Sequence, residues 1–313
     1  MQNNPFISIC IPANGRIEYV RNTLTSIYTE ENDLKLPLNE FEVILSDNDP
    51  NCGLEILKTE FPYKNFHYFN TNCEGFLNSF HVLTYARGNF LKLHNSQETF
   101  RSGALLKIIG FLKSIEKSKP AVFFTSGFLT TGEITHFSKF DDFMCNLSYW
   151  SSWSNGFGIW RDDFDNIKEN NNLNKLFPHT SLFLTQYNKA TFILNDELLF
   201  NTQFVKKRGG HNKFHAFSIE YPSLIDSIYN KGYIKLETKN RILKDILYNY
   251  LSLLFFNVKI AKRETFSADG FKQNIQVYFP KGSYWLVLCL SFIIPLKVIW
   301  RKIKINYLLK SKI

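Results

Sequence analysis

The chain has 313 residues, of which 44% are hydrophobic and 16% aromatic, so it can build a sizeable core and global disorder is excluded. Its formal net charge is +9, but no zinc-finger, helix-turn-helix or RNA-binding signature accompanies that charge, which argues against a nucleic-acid partner. The length suits one large α/β domain with an appendage, or two modest domains, and nothing in the sequence indicates an oligomeric state.

The five cysteines are scattered and show no CxxC spacing, so neither a zinc site nor a disulfide framework is predicted. The N-terminus has no basic region before its short apolar run, which is not typical of a signal peptide. We therefore expect a cytoplasmic protein with reduced thiols.

Short apolar, β-branched runs alternate with helical patterns over the first 125 residues. This alternation predicts a Rossmann-like, mostly parallel sheet with helices on both faces. In open sheets of this kind, ligands bind outside the carboxyl ends of the strands, here 12–16, 46–49 and 94–98. The predicted strands are 6–11, ending at Pro12, then 42–46, 67–70, 89–93 and 121–125, and the predicted helices are 16–28, 77–86 and 103–116.

The middle of the chain, from about 128 to 176, is aromatic and rich in loop residues. Helical patterns follow at 177–188 and 218–231, with a short strand at 191–193 between them. We expect residues 1–235 to form the main domain, in halves 1–125 and 126–235, and residues 236–313 to form a helical C-terminal extension.

The last 70 residues change in character. A helical pattern at 241–256 is followed by a 13-residue apolar run at 284–296, and 297–313 holds six Lys or Arg residues and no acid. A spanning helix needs about 20 apolar residues. A segment lying on an anionic membrane surface over 284–313 is therefore favoured over a span extended to Trp300.

Four motifs, read in order, resemble the inverting family 2 glycosyltransferases of the GT-A fold. They are ISICIPANGR at 7–16, VILSDNDPNCG at 43–53, CEGFLNSFHVLTYARGNFLKL at 73–93 and FRSGALLKII at 100–109. The Ser-Asp-Asn variant and FPHTSLFL at 177–184 place the resemblance nearest to bacterial O-antigen and capsule transferases that are abequosyltransferase-like. The likeness covers the first 110 residues well and the next 100 loosely.

This resemblance implies a nucleoside-diphosphate sugar donor, inversion at the anomeric carbon and a divalent metal, Mg²⁺ or Mn²⁺. The implied acceptor is a lipid-linked surface-polysaccharide intermediate, with the C-terminal segment holding the protein peripherally on the inner face of the cell membrane. An alternative is a non-catalytic nucleotide-sugar-binding scaffold of a polysaccharide assembly complex. A nucleotidyltransferase is disfavoured because the first loop lacks the Gly-rich, basic pattern that holds a triphosphate.

The resemblance also assigns nucleotide contacts. Asp47 matches the Asp that receives the base or ribose, and its alternative role is an Asx turn at the strand end. The first turn wraps the base, with Arg16 either pairing with phosphate or solvated. Asn78 faces the nucleotide or acts as a buried cap. The turn residues expected to bind the donor are Pro12, Ala13, Asn14 and Arg16.

The metal motif departs from the family pattern. Ser96, Gln97 and Glu98 stand where the family has Asp-x-Asp, and one carboxylate with neutral oxygens makes a poor site for Mg²⁺ or Mn²⁺. Three interpretations stay open: weak metal binding through Glu98, metal-independent transfer, or a degenerate enzyme. A basic run at 206–215, KKRGGHNKFH, could neutralise the leaving diphosphate through Lys206, Arg208 and His211, or be an ordinary solvated loop.

An inverting transferase needs a general base for the acceptor hydroxyl. The family's Asp or Glu at a helix start corresponds here to His179, whose neutral imidazole is chemically competent. Its alternative role is to line the acceptor pocket, and Asp162 and Asp163 are the rival bases. Three tryptophans, Trp150, Trp153 and Trp160, either stack on sugar rings or belong to the core.

Overall fold

The architecture was examined in a computed structural model. A parallel-rich central sheet flanked by helices confirms the predicted α/β class. The structure describes residues 4–29, 37–169, 172–205, 209–294, 296, 299–300 and 303–304.

The main sheet has five strands: β1 Ile7–Ala13, β2 Phe41–Asp47, β3 Phe66–Asn70, β4 Phe90–Leu93 and β8 Gly158–Trp160. Their order is β3-β2-β1-β4-β8, with the first four parallel and β8 antiparallel to β4. The carboxyl ends of β1, β2 and β4 therefore meet at one edge of the sheet.

Two smaller sheets follow. β5 Glu98–Phe100 pairs antiparallel with β10 Phe200–Thr202. β6 Ala121–Phe124, β7 Ile134–Phe137 and β9 Phe192–Asn195 form a three-stranded sheet in the order β6-β9-β7. The strand predicted at 121–125 is thus present, but it lies in this separate sheet.

Thirteen α-helices lie wholly within the described ranges. In the first half they are α1 Ile17–Tyr28, α2 Leu57–Glu60, α3 Asn78–Thr84 and α4 Ala104–Ile115. The middle holds α5 Phe140–Leu147, α6 Arg161–Ile167, α7 Pro178–Leu184, α8 Lys213–His215 and α9 Tyr221–Asn230. The C-terminal region holds α10 Leu236–Asp245, α11 Ser252–Phe255, α12 Phe271–Tyr278 and α13 Ser283–Ser291.

Helices cover both faces of the main sheet. Side chains alternate along a strand, so successive residues of β1 enter different cores. Ile9 packs in a core cluster with Leu24 of α1, and Cys10 packs in another with Val82 of α3. The second cluster also contains Val287 of α13, so the C-terminal helices share the core of the main sheet.

The first strand does not end at Pro12 as predicted. It continues to Ala13, because β2 still pairs beside it through Ala13↔Asp47. Pairing with β4 ends earlier, at Cys10↔Leu93. Pro12 therefore lies where one side of β1 has no neighbouring strand, and its missing N–H removes no ladder hydrogen bond there.

Three π-helical segments, Ala216–Glu220, Ile246–Leu251 and Phe256–Ile260, lie directly next to helices in the second half. The helix predicted at 241–256 therefore exists, but the segment Ile246–Leu251 interrupts it and the segment Phe256–Ile260 begins at its last residue. In the part of the chain that is described, none of the helices combines the length and the apolarity that crossing a membrane requires.

Candidate active site

A cleft of about 820 Å³ opens at the carboxyl ends of β1, β2 and β4. We call it the strand-end cleft. This is where the topology predicted a ligand site. It brings together ten of the residues singled out in the sequence: Pro12, Ala13, Asn14, Arg16, Asn78, Ser96, Gln97, Glu98, His179 and His211.

The first turn has a conformation that requires its glycine. Gly15 and Arg16 both have positive φ, +60° and 58°. A Cβ on Gly15 would lie 2.8 Å from Asp49 Oδ2, so a side chain there would be both strained and crowded. The exposed Arg16 side chain, which lines the cleft, forms no ion pair with any described residue.

Asparagines tie the strand ends together beneath the cleft. Asn78 Nδ2 donates to the carbonyls of Ala13 (3.1 Å) and Ser46 (2.8 Å), and its Oδ1 accepts from the Ser46 hydroxyl. Asn14 donates to Asn48 Oδ1 at 3.0 Å. Asn78 is 3% exposed and also lines the cleft, and its contacts join the ends of β1 and β2. Nucleotide contact by Asn78 stays a prediction.

Asp47 is fully buried and is not among the residues that line the cleft. Its Oδ1 accepts from the backbone N–H of Asp49 at 3.0 Å, which is the Asx turn named as its alternative role. Its Oδ2 accepts from the Tyr68 hydroxyl at 3.3 Å, and burial followed by the charge of Asp47 raises the pKa of Tyr68. Nucleotide contact by Asp47 stays a prediction.

The segment after β4 is fixed from behind by a buried lysine. Lys92 Nζ donates to the carbonyl of Leu93 at 2.7 Å and to that of Asn155. Asn155 Oδ1 in turn accepts from the backbone N–H of Asn95 at 2.7 Å. Burial lowers the pKa of Lys92 to about 7, so this ammonium has lost much of its preference for the charged state.

His94 supports the same segment. Its Nε2 lies 2.8 Å from the Glu98 carbonyl oxygen, and because a carbonyl only accepts, Nε2 carries the proton. The ring stacks on Phe100 with centroids 4.4 Å apart. Burial lowers the pKa of His94 to about 3, so the imidazole is neutral at physiological pH.

Glu98 is 4% exposed, and both its oxygens accept from the Thr202 hydroxyl, at 3.1 and 2.9 Å. It is the sole acid among the described residues that line the cleft. Throughout the described ranges, no three His, Cys, Asp or Glu side chains converge where a metal ion could bind. A divalent cation prefers several hard oxygen ligands, so the residues present do not by themselves fit one. Weak metal contact by Glu98 stays a prediction.

The remaining charges on the cleft are basic. Arg16, His211 and Lys213 line it, and Lys213 Nζ lies 4.4 Å from the centre of the Phe266 ring. The His211 ring contacts Phe76 and Phe266 edge-on, at 4.9 and 5.0 Å. Lys206 and Arg208 lie outside the described residues. The excess of cations over the one buried carboxylate favours an anionic ligand.

His179 lies in the first turn of α7 and is 6% exposed. Its Nε2 is 2.9 Å from the Ser152 carbonyl, so Nε2 carries the proton and Nδ1 keeps its lone pair. Nδ1 is buried and has no hydrogen-bond partner among the described residues. Burial lowers the pKa of His179 to about 4. The imidazole is therefore a neutral acceptor at the wall of the cleft.

The rival bases lie elsewhere. Asp162 forms an ion pair with Lys119, and Asp163 forms one with Lys189 at 2.6 Å. Neither carboxylate is among the residues that line the cleft. The Lys119 hydrogen bond lowers the pKa of Asp162, which weakens it further as a base.

The three tryptophans separate into two groups. Trp160 is fully buried in β8 and donates to the Pro120 carbonyl at 2.9 Å, so it belongs to the core. Trp150 and Trp153 line the cleft. Phe128 stacks on Trp150 with centroids 4.4 Å apart and meets Trp153 edge-on at 4.8 Å.

Sequence reasoning missed several cleft residues. Lys213 belongs to the basic run but was not singled out, and Asn48 directly follows Asp47 at the end of β2. Tyr250 and Phe266 come from the C-terminal region, where no local pattern marks them. They are brought to the cleft by the helical packing of the extension.

Comparison with known proteins finds no match among protein-family profiles and none among curated sequences. Solved structures do match. S. aureus TarS 1–349 superposes with a TM-score of 0.56 at 14% identity, covering 96% of this chain and 90% of that one. TarS 1–349 in complex with UDP-GlcNAc superposes with a TM-score of 0.55 at 13% identity, covering 96% of this chain and 91% of that one. The Pyrobaculum calidifontis mannosyltransferase PcManGT, in complex with GDP-Man and Mn²⁺, superposes with a TM-score of 0.51 at 12% identity. This match covers 96% of this chain and 84% of that one. At these identities the likeness establishes the fold, and the chain has the α/β fold of these nucleotide-sugar-binding proteins.

Proposed function

We propose that the protein is an inverting glycosyltransferase that uses a nucleoside-diphosphate sugar. The observation that carries the proposal is the strand-end cleft, where, among the described lining residues, the cations Arg16 and Lys213 outnumber the one acid, the buried Glu98. The structural neighbours bind UDP-GlcNAc, UDP or GDP-Man in this fold, which supports a donor of the same class.

In the proposed reaction, an acceptor hydroxyl oxygen attacks the anomeric carbon from the face opposite the diphosphate. The bond between that carbon and the diphosphate oxygen breaks, and the electron pair leaves with the nucleoside diphosphate. His179 Nδ1 takes the hydroxyl proton, a role supported by its unpartnered lone pair on a residue that lines the cleft. The cations of the cleft offset the charge that develops on the leaving group.

The acceptor we propose is a lipid-linked intermediate of a bacterial surface polysaccharide such as O-antigen or capsule. The protein would meet it as a cytoplasmic, peripheral protein at the inner face of the membrane. Exposed apolar side chains support this placement: Trp285, Phe292, Ile293, Leu296, Ile299, Trp300 and Ile303 are each more than half exposed. The basic sequence of 297–313 complements an anionic surface.

The test measures binding and turnover separately. Purified protein is titrated with a panel of nucleoside-diphosphate sugars that includes UDP-GlcNAc and GDP-Man. Release of nucleoside diphosphate is then followed with a membrane lipid extract as acceptor, with Mn²⁺ or with EDTA. We expect one donor to bind and to be consumed. Release that EDTA abolishes would assign Glu98 to a metal, whereas release that survives EDTA would assign charge neutralisation to the basic side chains.

A matched pair of variants locates the donor site. Arg16→Gln removes one cation from the cleft, and Lys107→Gln removes one from an exposed position on α4. We expect the first to weaken nucleoside-diphosphate binding by about 10- to 100-fold, because a charge-assisted hydrogen bond contributes about 1.5–3 kcal/mol. We expect the second to leave binding unchanged. Donor binding without turnover would favour the scaffold alternative, and absence of binding to every donor would contradict both.

A further inference from the structure

A second cavity of about 740 Å³ lies beside the strand-end cleft, and we call it the lateral groove. Its walls come from the loop at 128–130, from the turn that begins at Ser148, and from α10 and the helical segments after it. Ile294, Trp300, Ile303 and Lys304 complete it on the C-terminal side. Its volume lies in the range of about 300–1,000 Å³ that is typical of ligand sites.

The lateral groove and the strand-end cleft share a wall. Tyr149 and Trp150 line both cavities. On the helical side, Asn249 lines the groove and its neighbour Tyr250 lines the cleft. The rings of Tyr149 and Tyr250 lie 5.7 Å apart. One ligand could therefore extend from the groove to the cleft past these aromatic side chains.

The apolar wall of the groove is held in place by a buried carboxylate. Asp196 is 1% exposed and accepts hydrogen bonds from the backbone N–H groups of Leu129, Thr131 and Gly132, at 3.1, 2.8 and 3.1 Å. These contacts fix the loop that carries Phe128 onto Trp150. A preformed apolar wall lowers the entropic cost of binding a flexible chain.

The polar part of the groove combines two cations with one acid. Arg241 is exposed and lies one helical turn before Asp245, with no ion pair formed between the two. Asp245 Oδ2 accepts from the Ser148 hydroxyl at 2.7 Å. With Lys304, the charged side chains among the described lining residues sum to one positive charge, which suits an anionic head group.

The rim of the groove is apolar and open to solvent. Trp300 is 72% exposed and Ile303 is 56% exposed, and both also line the groove. Phe292 and Leu296, which are near in sequence, are 66% and 61% exposed. The exposed apolar side chains of the described rim residues offer a hydrocarbon chain an apolar surface on this side.

We propose that the lateral groove binds the lipid part of the acceptor, namely a long hydrocarbon chain that carries a phosphate. The chain packs along Phe128, Trp150 and Leu253, and the phosphate lies near Arg241. The glycan then passes Tyr149 and Trp150 into the strand-end cleft. This inference rests on the proposed function, because it assigns the acceptor of the same reaction to a second cavity.

The test uses farnesyl phosphate as a soluble probe of this chemistry, titrated into the full chain while tryptophan fluorescence is recorded. Asn146→Trp fills the groove from an exposed position of α5, and Asn166→Trp makes the same change at an exposed position of α6 away from it. Arg241→Gln removes the groove cation, and Lys244→Gln removes an exposed cation of the same helix. Circular dichroism spectra confirm that each variant is folded.

We expect saturable binding that Asn146→Trp and Arg241→Gln each weaken by about tenfold, while the two controls bind as the parent does. Farnesol, which lacks the phosphate, should bind more weakly and should not respond to Arg241→Gln. Binding that is insensitive to Asn146→Trp would overturn the inference. So would association only with phosphatidylglycerol vesicles, unchanged by Asn146→Trp, since the face would then contact a bilayer and not a single lipid.

Donor titrations keep this inference separate from the proposed function. If UDP-GlcNAc or GDP-Man binds but farnesyl phosphate does not, the groove assignment fails and the transferase proposal stands. If farnesyl phosphate binds in the groove while no nucleoside-diphosphate sugar binds, the transferase proposal fails, and with it the assignment of that lipid as acceptor.

Discussion

The sharpest prediction concerns His179. Its Nε2–H is held by the Ser152 carbonyl, its Nδ1 is buried without a described partner, and burial lowers its pKa to about 4. If Nδ1 takes the acceptor proton, His179→Gln should reduce turnover by about 10²- to 10⁴-fold, the usual contribution of a positioned base. His136→Gln, the same change at an exposed histidine of β7, should leave turnover unchanged.

The pH dependence follows from the direction of the shift. Burial disfavours the imidazolium, so His179 in the free protein stays neutral until the pH falls well below the usual histidine range. At pH 5.5 an imidazole with a pKa of about 4 is still about 97% neutral, whereas an imidazole with a pKa of about 6.5 is only about 9% neutral. Since kcat/KM reports the free enzyme, its acid limb should have its midpoint near 4.

Bound donor brings negative charge into the cleft, which favours the imidazolium and raises the pKa of His179 in the complex. The acid limb of kcat should therefore lie at higher pH than that of kcat/KM. The assay is release of nucleoside diphosphate from pH 4 to 8. An acid limb of kcat/KM near 6.5 that disappears in His179→Gln would refute the burial argument, and full activity of His179→Gln would refute the base assignment.

Two stability predictions complete the set. Lys92 binds its proton more weakly in the folded state (pKa about 7) than in the unfolded state (10.5), so between these values folding stability should rise with pH by up to about 1.4 kcal/mol per unit. The free energy of unfolding, measured in urea at pH 7.5 and 8.5, should rise with this slope in the parent protein. In Lys92→Met the slope should be lower by about 1 kcal/mol per pH unit. Equal slopes in the two proteins would contradict the lowered pKa of Lys92. Asp196→Asn should cost about 2–3 kcal/mol, because it disrupts a buried carboxylate that accepts from three backbone N–H groups and from the hydroxyls of Thr125 and Thr131. Asp162→Asn, which removes one partner of an exposed ion pair, should lower the free energy of unfolding by less than about 1 kcal/mol. Equal losses for Asp196→Asn and Asp162→Asn in denaturant unfolding would refute the role of Asp196 in fixing the loop.

The first half of the fold was predictable because its signals are local. Strands β1 to β4 are short, mainly apolar runs that are followed by polar residues, and each lies within two residues of its predicted bounds. The strand-end cleft followed from parallel topology alone, since the carboxyl ends of parallel strands share one edge. Local sequence patterns that predict parallel strands are therefore sufficient to predict the position of the cleft.

The rest depends on contacts between distant residues. Strand β8 has three residues, and it is a strand because Phe90, Leu91 and Lys92 offer an edge to pair with. That pairing buries Trp160, whereas Trp150 and Trp153 line the cleft. The spacing of the three tryptophans in the sequence does not predict which of them is buried. Strand β10 likewise exists through its pairing with β5, about 100 residues earlier in the chain.

The same distinction explains the charged residues. Asp162 and Asp163 were plausible bases in a sequence, where their neighbours are unknown, but Lys119 and Lys189 come from other parts of the fold to pair with them. Lys213 is the reverse case. Its membership of a basic run gave no reason to prefer it over its neighbours, and its place in the cleft follows from the packing of Phe266 against it.

The cleft also suggests how one site can meet two demands. A leaving diphosphate needs positive charge, and Ser96 and Gln97 offer no carboxylates with which to hold a cation, while Glu98 is already engaged by Thr202. Arg16, His211 and Lys213 are instead supplied by two separate segments, the turn after β1 and the region before α9. Because these segments are far apart in sequence and both line the cleft, its positive charge depends on the native fold. His179, which we propose as the base, lies on the cleft wall, where burial keeps its imidazole neutral. Burial keeps the proposed base unprotonated while Arg16 and Lys213 favour an anion, so the cleft has both properties that the proposed reaction needs.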